Sequence, residues 1–334
     1  VKEHLKIFHT NILEGIGDTP LVKLNHFRKD SQAEIFAKLE FLNPMGSIKD
    51  RIAHHMVAKA EKDGRLSPGA TIIDNSSGNT ALALAMVCAI KGYKLKMVVR
   101  DNLSSEKIKF LKALNVGLIF VDHTLPPESP KSYNNITPLI VEQTPNSYYF
   151  DQHNNRDNSE AHYLSTGPEI WEQMEGKIDY FVAGMGTGGT ISGVAQYLKE
   201  KDPNIKIIGV DPKGSVFYDY FRSQTHITPS PYLLEGLGDE FLIQCVDFSL
   251  IDDIYQIKDI DAFHMTRQLA FKEAVFAGGS SGAVLWACVQ LAKKIDSRAR
   301  IVTIFADAAT RYLSTIYNDE WLLEKVGLDI QNIE

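Results

Sequence analysis

Short runs of β-branched and other apolar residues recur along this chain, separated by longer stretches in which apolar positions return every three or four residues. The short runs predict strands over Ile35–Leu39, Thr71–Asp74, Leu95–Val99, Leu118–Val121, Tyr148–Phe150, Ile178–Ala183, Lys206–Val210 and Ile301–Phe305. The periodic stretches predict helices, among them Ser47–Lys62, Asn79–Lys91, Ser104–Leu114, Thr190–Lys201 and Ser281–Lys294, with Ser47 and Ser104 as N-caps. Strand and helix alternate over the whole length, which predicts an α/β protein with largely parallel, buried sheets. Two irregular stretches interrupt the alternation. His123–Pro130 reads as a surface loop, and Gly214 to about Glu240 reads either as a lid over a substrate or as a surface excursion.

At 334 residues the chain has the size of one large domain or two medium ones. Lys and Arg number 35 against 42 Asp and Glu, a net charge of 35 − 42 = −7, and no basic block stands out. Nucleic acid is therefore not an expected partner. No apolar run reaches the length of a membrane span. The first residues, Val1-Lys2-Glu3-His4-Leu5-Lys6, lack the apolar core of a secretory leader. Cys88, Cys245 and Cys288 are far apart in sequence, and Cys88 and Cys288 lie in apolar helical patterns. They read as buried thiols in a reducing compartment, so a cytoplasmic location is expected. No CxxC or His/Cys spacing suits zinc, and the adjacent His54 and His55 point to different faces of a helix, so no metal is expected.

The candidate chemistry lies in one amine and three small-residue turns. Lys49 stands in Asn43-Pro44-Met45-Gly46-Ser47-Ile48-Lys49-Asp50-Arg51, at the mouth of a predicted helix. Most lysines are exposed members of an amphipathic face; one at a helix N-terminus has its charged form disfavoured and makes a better amine nucleophile. Ser76-Ser77-Gly78-Asn79-Thr80 follows a strand and opens a helix, where consecutive N–H groups and hydroxyls suit a carboxylate beyond what a simple cap needs. Gly186-Thr187-Gly188-Gly189-Thr190 makes a similar junction and suits a phosphate, against the plain alternative of a tight turn that requires glycine.

Two other readings compete. Gly184, Gly186 and Gly189 satisfy G-x-G-x-x-G, with Asp211 ending the following strand, which is the outline of an NAD-binding Rossmann protein. That reading leaves Lys49 and the Ser76–Thr80 turn without a role. Gly278-Gly279-Ser280-Ser281-Gly282 matches the nucleophile elbow of α/β-hydrolases. The last histidine, His264, precedes the serine, so the order of the triad fails. A serine at this helix start can instead donate to a heterocyclic nitrogen.

Taken in order, all four segments resemble the pyridoxal-phosphate enzymes of the cysteine synthase and cystathionine β-synthase family, from Ile12-Leu13-Glu14-Gly15 to about Tyr312. Leu103–Lys107, Asp151-Gln152, Ile208–Ser215 and Glu235-Gly236-Leu237-Gly238 look closest to the cystathionine β-synthase branch. The resemblance implies a two-domain, fold type II enzyme with parallel-rich sheets flanked by helices and pyridoxal 5′-phosphate in the interdomain cleft. Residues 43–151 would form a small mobile domain that closes on substrate, and 1–42 with 152–334 the large one.

The resemblance also implies residue roles. Lys49 matches the lysine that holds the cofactor covalently and moves the α-proton. Asn79 matches the donor to its phenolic oxygen, and Gly186, Thr187, Gly188, Gly189 and Thr190 match the phosphate cup. Ser280 matches a neutral partner of the pyridine nitrogen. Ser76, Ser77, Asn79, Thr80 and Gln152 match the clamp on the substrate carboxylate, with Glu235 a further substrate contact.

The implied reaction is β-replacement on serine, O-acetylserine, O-phosphoserine or cysteine through an α-aminoacrylate, with a sulfur nucleophile, in a homodimer. Its alternative uses an amine or water, as a diaminopropionate-type synthase or a cysteine desulfhydrase would. Met45, Ser76, Asp74-Asn75, Ala81 and Ala308-Ala309 depart from the family pattern, and Met45 and Ser76 put the second substrate in doubt.

Overall fold

The computed structural model describes residues 8–27, 32–126, 128–225, 228–295 and 298–330. The leader reading of Val1 to Lys6 lies outside them, as does Pro127 of the His123–Pro130 loop. Ten strands are described: β1 Leu21–Leu24, β2 Glu34–Leu39, β3 Thr71–Asn75, β4 Lys94–Arg100, β5 Gly117–Val121, β6 Ser147–Tyr149, β7 Tyr180–Gly184, β8 Lys206–Pro212, β9 Asp253–Ile257 and β10 Arg300–Phe305. The chain divides into two compact units: the segment ending at Gly17 with Asn43–Asp157, and Asp18–Leu42 with the chain from Asn158 onward. The 152–157 segment thus groups with the unit that contains Lys49.

The first unit holds a four-stranded sheet in the order β5-β4-β3-β6, parallel throughout. Every residue of β3 is buried, as a strand covered on both faces requires. The helix Asn79–Lys91 that follows it is apolar nearly all round, with Thr80 through Cys88 all buried, so it lies within the core. Its C-terminus turns off at Gly92 in the left-handed conformation, whose N–H returns to the Cys88 carbonyl.

The second unit holds a six-stranded sheet in the order β1-β2-β10-β7-β8-β9. All its pairs are parallel except β1 with β2. Phe181, Phe305, Ile301 and Val302 are fully buried, and burial of each such side chain contributes about 1.5–3 kcal/mol. The strands missed by pattern, β1 and β9, are the two edges of this sheet. Each is four or five residues long and buries only one or two of them, too few for an alternating pattern to stand out.

Ser104 caps its helix as expected, accepting from the Lys107 N–H at 3.3 Å. Ser47 does not: the helix Lys49–Lys62 begins one residue later, with Ile48 at the cap position. The Ser47 hydroxyl still accepts from the Lys49 N–H at 3.3 Å. Nor is the Gly214–Glu240 stretch wholly irregular. It contains the helix Phe217–Ser223, and its Leu234 and Leu237 are buried. Cys88 and Cys288 are buried thiols, their pKa values pushed up to about 12 by burial.

A buried charge ties β2 to neighbouring segments of the second unit. Lys38 on β2 is fully buried, yet its ammonium meets three acceptors: the Thr19 carbonyl at 2.8 Å, Gln173 Oε1 at 3.0 Å and the Glu169 carboxylate at 2.7 Å. Those satisfy the three protons an ammonium carries. Glu169→Ala should therefore destabilise the protein by about 3–5 kcal/mol, because a buried cation loses its counter-charge. Adding Lys38→Met should recover most of that loss. Urea unfolding of the single and double variants checks the expectation, and equal destabilisation by both would contradict it.

Candidate active site

In the first unit, β4 and β5 follow β3 towards one edge, while β6 pairs on the other side of β3. β3 and β6 are parallel neighbours, so their carboxyl ends lie side by side, and the carboxyl ends are where open α/β sheets bind ligands. The two turns at those ends are Ser76–Gly78 and Asp151-Gln152-His153. Their side chains meet: Thr80 Oγ1 donates to Gln152 Oε1 at 2.6 Å in a buried contact. That contact fixes the Gln152 oxygen as an acceptor and so orients the amide, whose NH2 end is the one that suits an anion.

Asp74, the penultimate residue of β3, ties the same two turns together. Its Oδ1 accepts from the Asp151 N–H at 3.2 Å. Asp74 is fully buried, and its Oδ2 has no hydrogen-bond partner among the described residues. Burial, and to a lesser degree the neighbouring Asp151, pushes its pKa up to about 7, against the pull of the Asn75 and Asp151 N–H groups. Beside it, Asn75 donates to the Tyr133 carbonyl at 3.3 Å.

Lys49 opens its helix half-buried, next to a fully buried Asp50 whose Oδ2 accepts from the Met45 N–H at 2.6 Å. Met45, flagged as a departure, is thus fixed at its backbone. His153 is the residue that sequence reasoning missed. Burial, then the charge of Lys49, pushes its pKa down to about 4, so it is neutral at physiological pH. Its place directly after Gln152 was the available signal. Lys49 is thereby placed electrostatically beside the turn that carries Gln152.

In the second unit the parallel neighbours β7 and β10 likewise end side by side. The turn after β7 is Met185–Gly188, leading into the helix Gly189–Lys201. The loop after β10 carries Asp307, whose carbonyl accepts from the Gly278 N–H at 3.0 Å, and Ala308 bridges Ala277. Ser280 is thus delivered to the same end of the sheet as Gly186–Thr190, at the start of the helix Gly279–Ala292. The substituted Ala308-Ala309 pair lies in this bridge, with Ala309 fully buried.

The glycines of the turn answer to protein neighbours. Gly188 has φ +81°, and a Cβ there would lie 2.7 Å from the Val246 nitrogen. A Cβ on Gly186 would lie 2.6 Å from the Gly236 carbonyl oxygen. The exposed Glu235 leads into this Gly236–Gly238 segment, which is stitched to the turn by the Gly238 N–H donating to the Met185 carbonyl at 2.6 Å. That segment packs on β7 rather than standing off it.

Three of these helices share an unusual start. Those beginning at Asn79, Gly189 and Gly279 have glycine at the cap (Gly78, Gly188 and Gly278), no side-chain cap and no acidic residue in the first turn. Ser104 and Asn318 cap their helices with side chains, whereas the helices Lys49–Lys62, Ile136–Glu142, Phe217–Ser223 and Asp259–Glu273 also lack a side-chain cap, so it is glycine at the cap that sets the three apart. Uncapped helix starts present N–H groups and partial positive charge to an external anion. This donor set fits a cofactor bearing a phosphate and a substrate bearing a carboxylate.

It does not favour a dinucleotide. Asp211, the acid such a fold would turn to a ribose, is fully buried, and its Oδ2 accepts from the Tyr218 N–H at 2.9 Å. Burial raises its pKa to about 7. Among the described residues one trio of ligating side chains converges, Asp101, Asp122 and His123. All three are exposed, and their carboxylates are already engaged by His123 and Thr124. No helix among the described residues is long and apolar enough to cross a membrane.

Comparison with known proteins bears on the same residues. A family described as pyridoxal-phosphate dependent enzyme matches residues 12–307. A cystathionine beta-synthase of Apis mellifera is 44% identical over 314 residues, 93% of this chain and 62% of that protein. A cysteine synthase of Staphylococcus aureus is 40% identical over 307 residues, 91% of this chain and 96% of that protein. The crystal structure of a hydrogen sulfide-producing enzyme from Fusobacterium nucleatum superposes with a TM-score of 0.83 at 37% identity, covering 92% of this chain and all of that one. The chain spans less than two thirds of the length of the cystathionine beta-synthase relatives.

Asp74 carries a test of its own. Its folded pKa of about 7 lies above the ordinary 3.8, so the folded state binds the extra proton between those values. Its contribution therefore lowers stability as pH rises from about 4 to about 7. Asp74→Asn, which keeps the acceptor for the Asp151 N–H, should gain stability relative to the parent between pH 5 and pH 8. Urea midpoints at the two pH values measure this; the same difference at both would refute the assignment.

Proposed function

The chain belongs to the family of pyridoxal-phosphate dependent enzymes, and from that membership we propose that it replaces the β-substituent of a serine-type amino acid with a sulfur nucleophile. The donor would be serine, O-acetylserine, O-phosphoserine or cysteine. The observation that carries this reading is the set of three glycine-capped, acid-free helix starts, two of which follow the central strands β3 and β7. One anion is a cofactor phosphate and the other a substrate carboxylate.

The roles follow from the donors. Gly186–Thr190 takes the phosphate through N–H groups and the hydroxyls of Thr187 and Thr190. Ser76, Ser77, Asn79 and Thr80 line the turn for the α-carboxylate, with the NH2 of Gln152 held towards it by the Thr80 hydroxyl. Asn79 also serves the cofactor's phenolic oxygen. Ser280 donates to the ring nitrogen as a neutral partner, and Glu235 stands at the margin as a further substrate contact. When bound, pyridoxal phosphate supplies the electron sink for loss of the α-proton and the β-substituent. Lys49 is the covalent anchor and the base that takes the proton from Cα and returns it. A neutral His153 beside it adds no second cation to compete for that proton.

The relatives named for cystathionine and cysteine synthesis favour a thiol or sulfide as nucleophile. The likeness to a hydrogen sulfide-producing enzyme favours one further reading, elimination from cysteine with water as the acceptor. Steady-state assays of the four donors with homocysteine, sulfide, water alone or amino-acid amines decide between them. Turnover with a thiol or sulfide is expected. Turnover with amines only would overturn the sulfur assignment.

Two variants test the machinery. Lys49→Ala should abolish turnover and the bound chromophore at an unchanged unfolding profile; near-normal turnover would end the pyridoxal reading. Gln152→Ala should raise KM by one to two decades at unchanged cofactor content, because a lost hydrogen bond to a charged oxygen costs about 1.5–3 kcal/mol. Loss of cofactor instead would move Gln152 out of the carboxylate clamp.

A further inference from the structure

The two hydroxyls of the Gly186–Thr190 turn are each engaged from behind by one helical segment, Asp157–Thr166. Asn158 Nδ2 donates to Thr187 Oγ1 at 3.1 Å, and His162 Nε2 lies 3.2 Å from Thr190 Oγ1. Asn158 and His162 are four residues apart and both are 1% exposed, so they present to the same side of the segment as a buried pair. The fit is close: a Cβ on Gly189 would lie 1.9 Å from Asn158 Oδ1. The segment from His162 to Thr166 is a π-helical turn, a rare conformation concentrated at functional positions. Within it, His162 Nδ1 lies 2.9 Å from Thr166 Oγ1, and Thr166 is fully buried.

We propose that Asn158 and His162 are positioning residues that aim the Thr187 and Thr190 hydroxyl protons at the bound phosphate, with His162 as the Nε2–H tautomer. The inference rests on the assignment of this turn to the cofactor phosphate. A hydroxyl has one proton and two lone pairs. An amide nitrogen only donates, so Asn158 fills a lone pair of Thr187 and leaves its proton for another acceptor. For His162 the tautomer decides.

With the Thr166 hydroxyl donating to Nδ1, the ring donates from Nε2 to Thr190 Oγ1, and the Thr190 proton is free to meet an anion. In the other tautomer Nε2 takes the Thr190 proton and turns an oxygen lone pair towards the anion. Phosphate stabilises the first arrangement and is repelled by the second. No lysine or arginine is needed, because the hydroxyl protons and the helix start carry the positive potential.

The test uses the full-length enzyme and its variants, stripped of cofactor with hydroxylamine and titrated with pyridoxal 5′-phosphate and with pyridoxal. His162→Phe and Asn158→Leu should each weaken pyridoxal phosphate about tenfold or more, the loss expected for a hydrogen bond to a charged group. Their affinity for pyridoxal should not change. His162→Gln, whose amide nitrogen can replace Nε2–H, should restore binding. The isosteric Thr166→Val, which removes the donor to Nδ1, should weaken pyridoxal phosphate while leaving the affinity for pyridoxal unchanged. In the 15N-histidine-labelled holoenzyme the His162 Nδ1 resonance should be that of an unprotonated acceptor nitrogen.

A protonated Nδ1, full affinity in His162→Phe, or equal weakening by Phe and Gln would overturn the proposal. Thr187→Ala and Thr190→Ala separate this inference from the assignment beneath it. If both keep full affinity, the phosphate sits elsewhere and the site assignment itself fails. If they weaken binding while the Asn158 and His162 variants do not, only the proposal about proton direction fails.

Discussion

Neighbouring parallel strands end on the same side of a sheet, so the turns that follow them are brought together whatever their separation in the chain, and the carboxyl ends are where open α/β sheets bind ligands. Both units of this protein rest on such a pair: β3 beside β6 in one, β7 beside β10 in the other. The proposed phosphate and carboxylate donors lie on turns at these carboxyl ends or on the helices those turns open. Thr80 and Gln152 meet because their strands are adjacent and parallel, despite 72 residues between them in the chain. Ser280 reaches the β7–β10 end because Ala277 bridges Ala308 just beyond β10.

What such turns bind depends on what the helix starts lack. A helix ordinarily satisfies its first N–H groups with a serine, threonine, aspartate or asparagine cap and welcomes an acid in its first turn. Here glycine occupies the cap at three starts and acids are absent from each. Glycine in place of a capping side chain costs helix stability only a few tenths of a kcal/mol each. A phosphate or carboxylate offsets it. Binding anions by dipoles and hydroxyls also keeps competing cations away from the one amine whose proton transfers matter.

Much of this was readable from residue order. The strand and helix alternation, eight of the ten strands and the functional turns follow from β-branched runs ending in glycine, serine and threonine. The edge strands β1 and β9 were not readable, because each is short and buries only one or two of its residues. The long helix Asp259–Glu273 hid for a similar reason. Its sequence is polar overall, and what fixes it is a close approach to Gly282, where a Cβ would lie 2.3 Å from the Ala262 carbonyl. Asn158 and His162 were invisible as chemistry, since a histidine or asparagine in a helical stretch carries no signal until tertiary structure sets it against a hydroxyl.

The glycines show why the dinucleotide reading was a fair rival from the sequence and a poor one in the fold. G-x-G-x-x-G states only that backbone comes close to something at three positions. In this protein Gly186 is approached by the Gly236 carbonyl and Gly189 by the Asn158 side chain, and a side chain on Gly184 would strike Leu237. The motif is spent on bringing the Gly236–Gly238 segment and the Asn158–His162 face against the turn. Only the partly exposed Gly186, Thr187 and Thr190 then remain as a rim. A rim with two hydroxyls suits a compact phosphate. A dinucleotide needs in addition an acid turned outward to its ribose, and Asp211 is instead committed inward to the Tyr218 N–H. The discriminating feature was therefore never the glycines but the direction of one buried carboxylate.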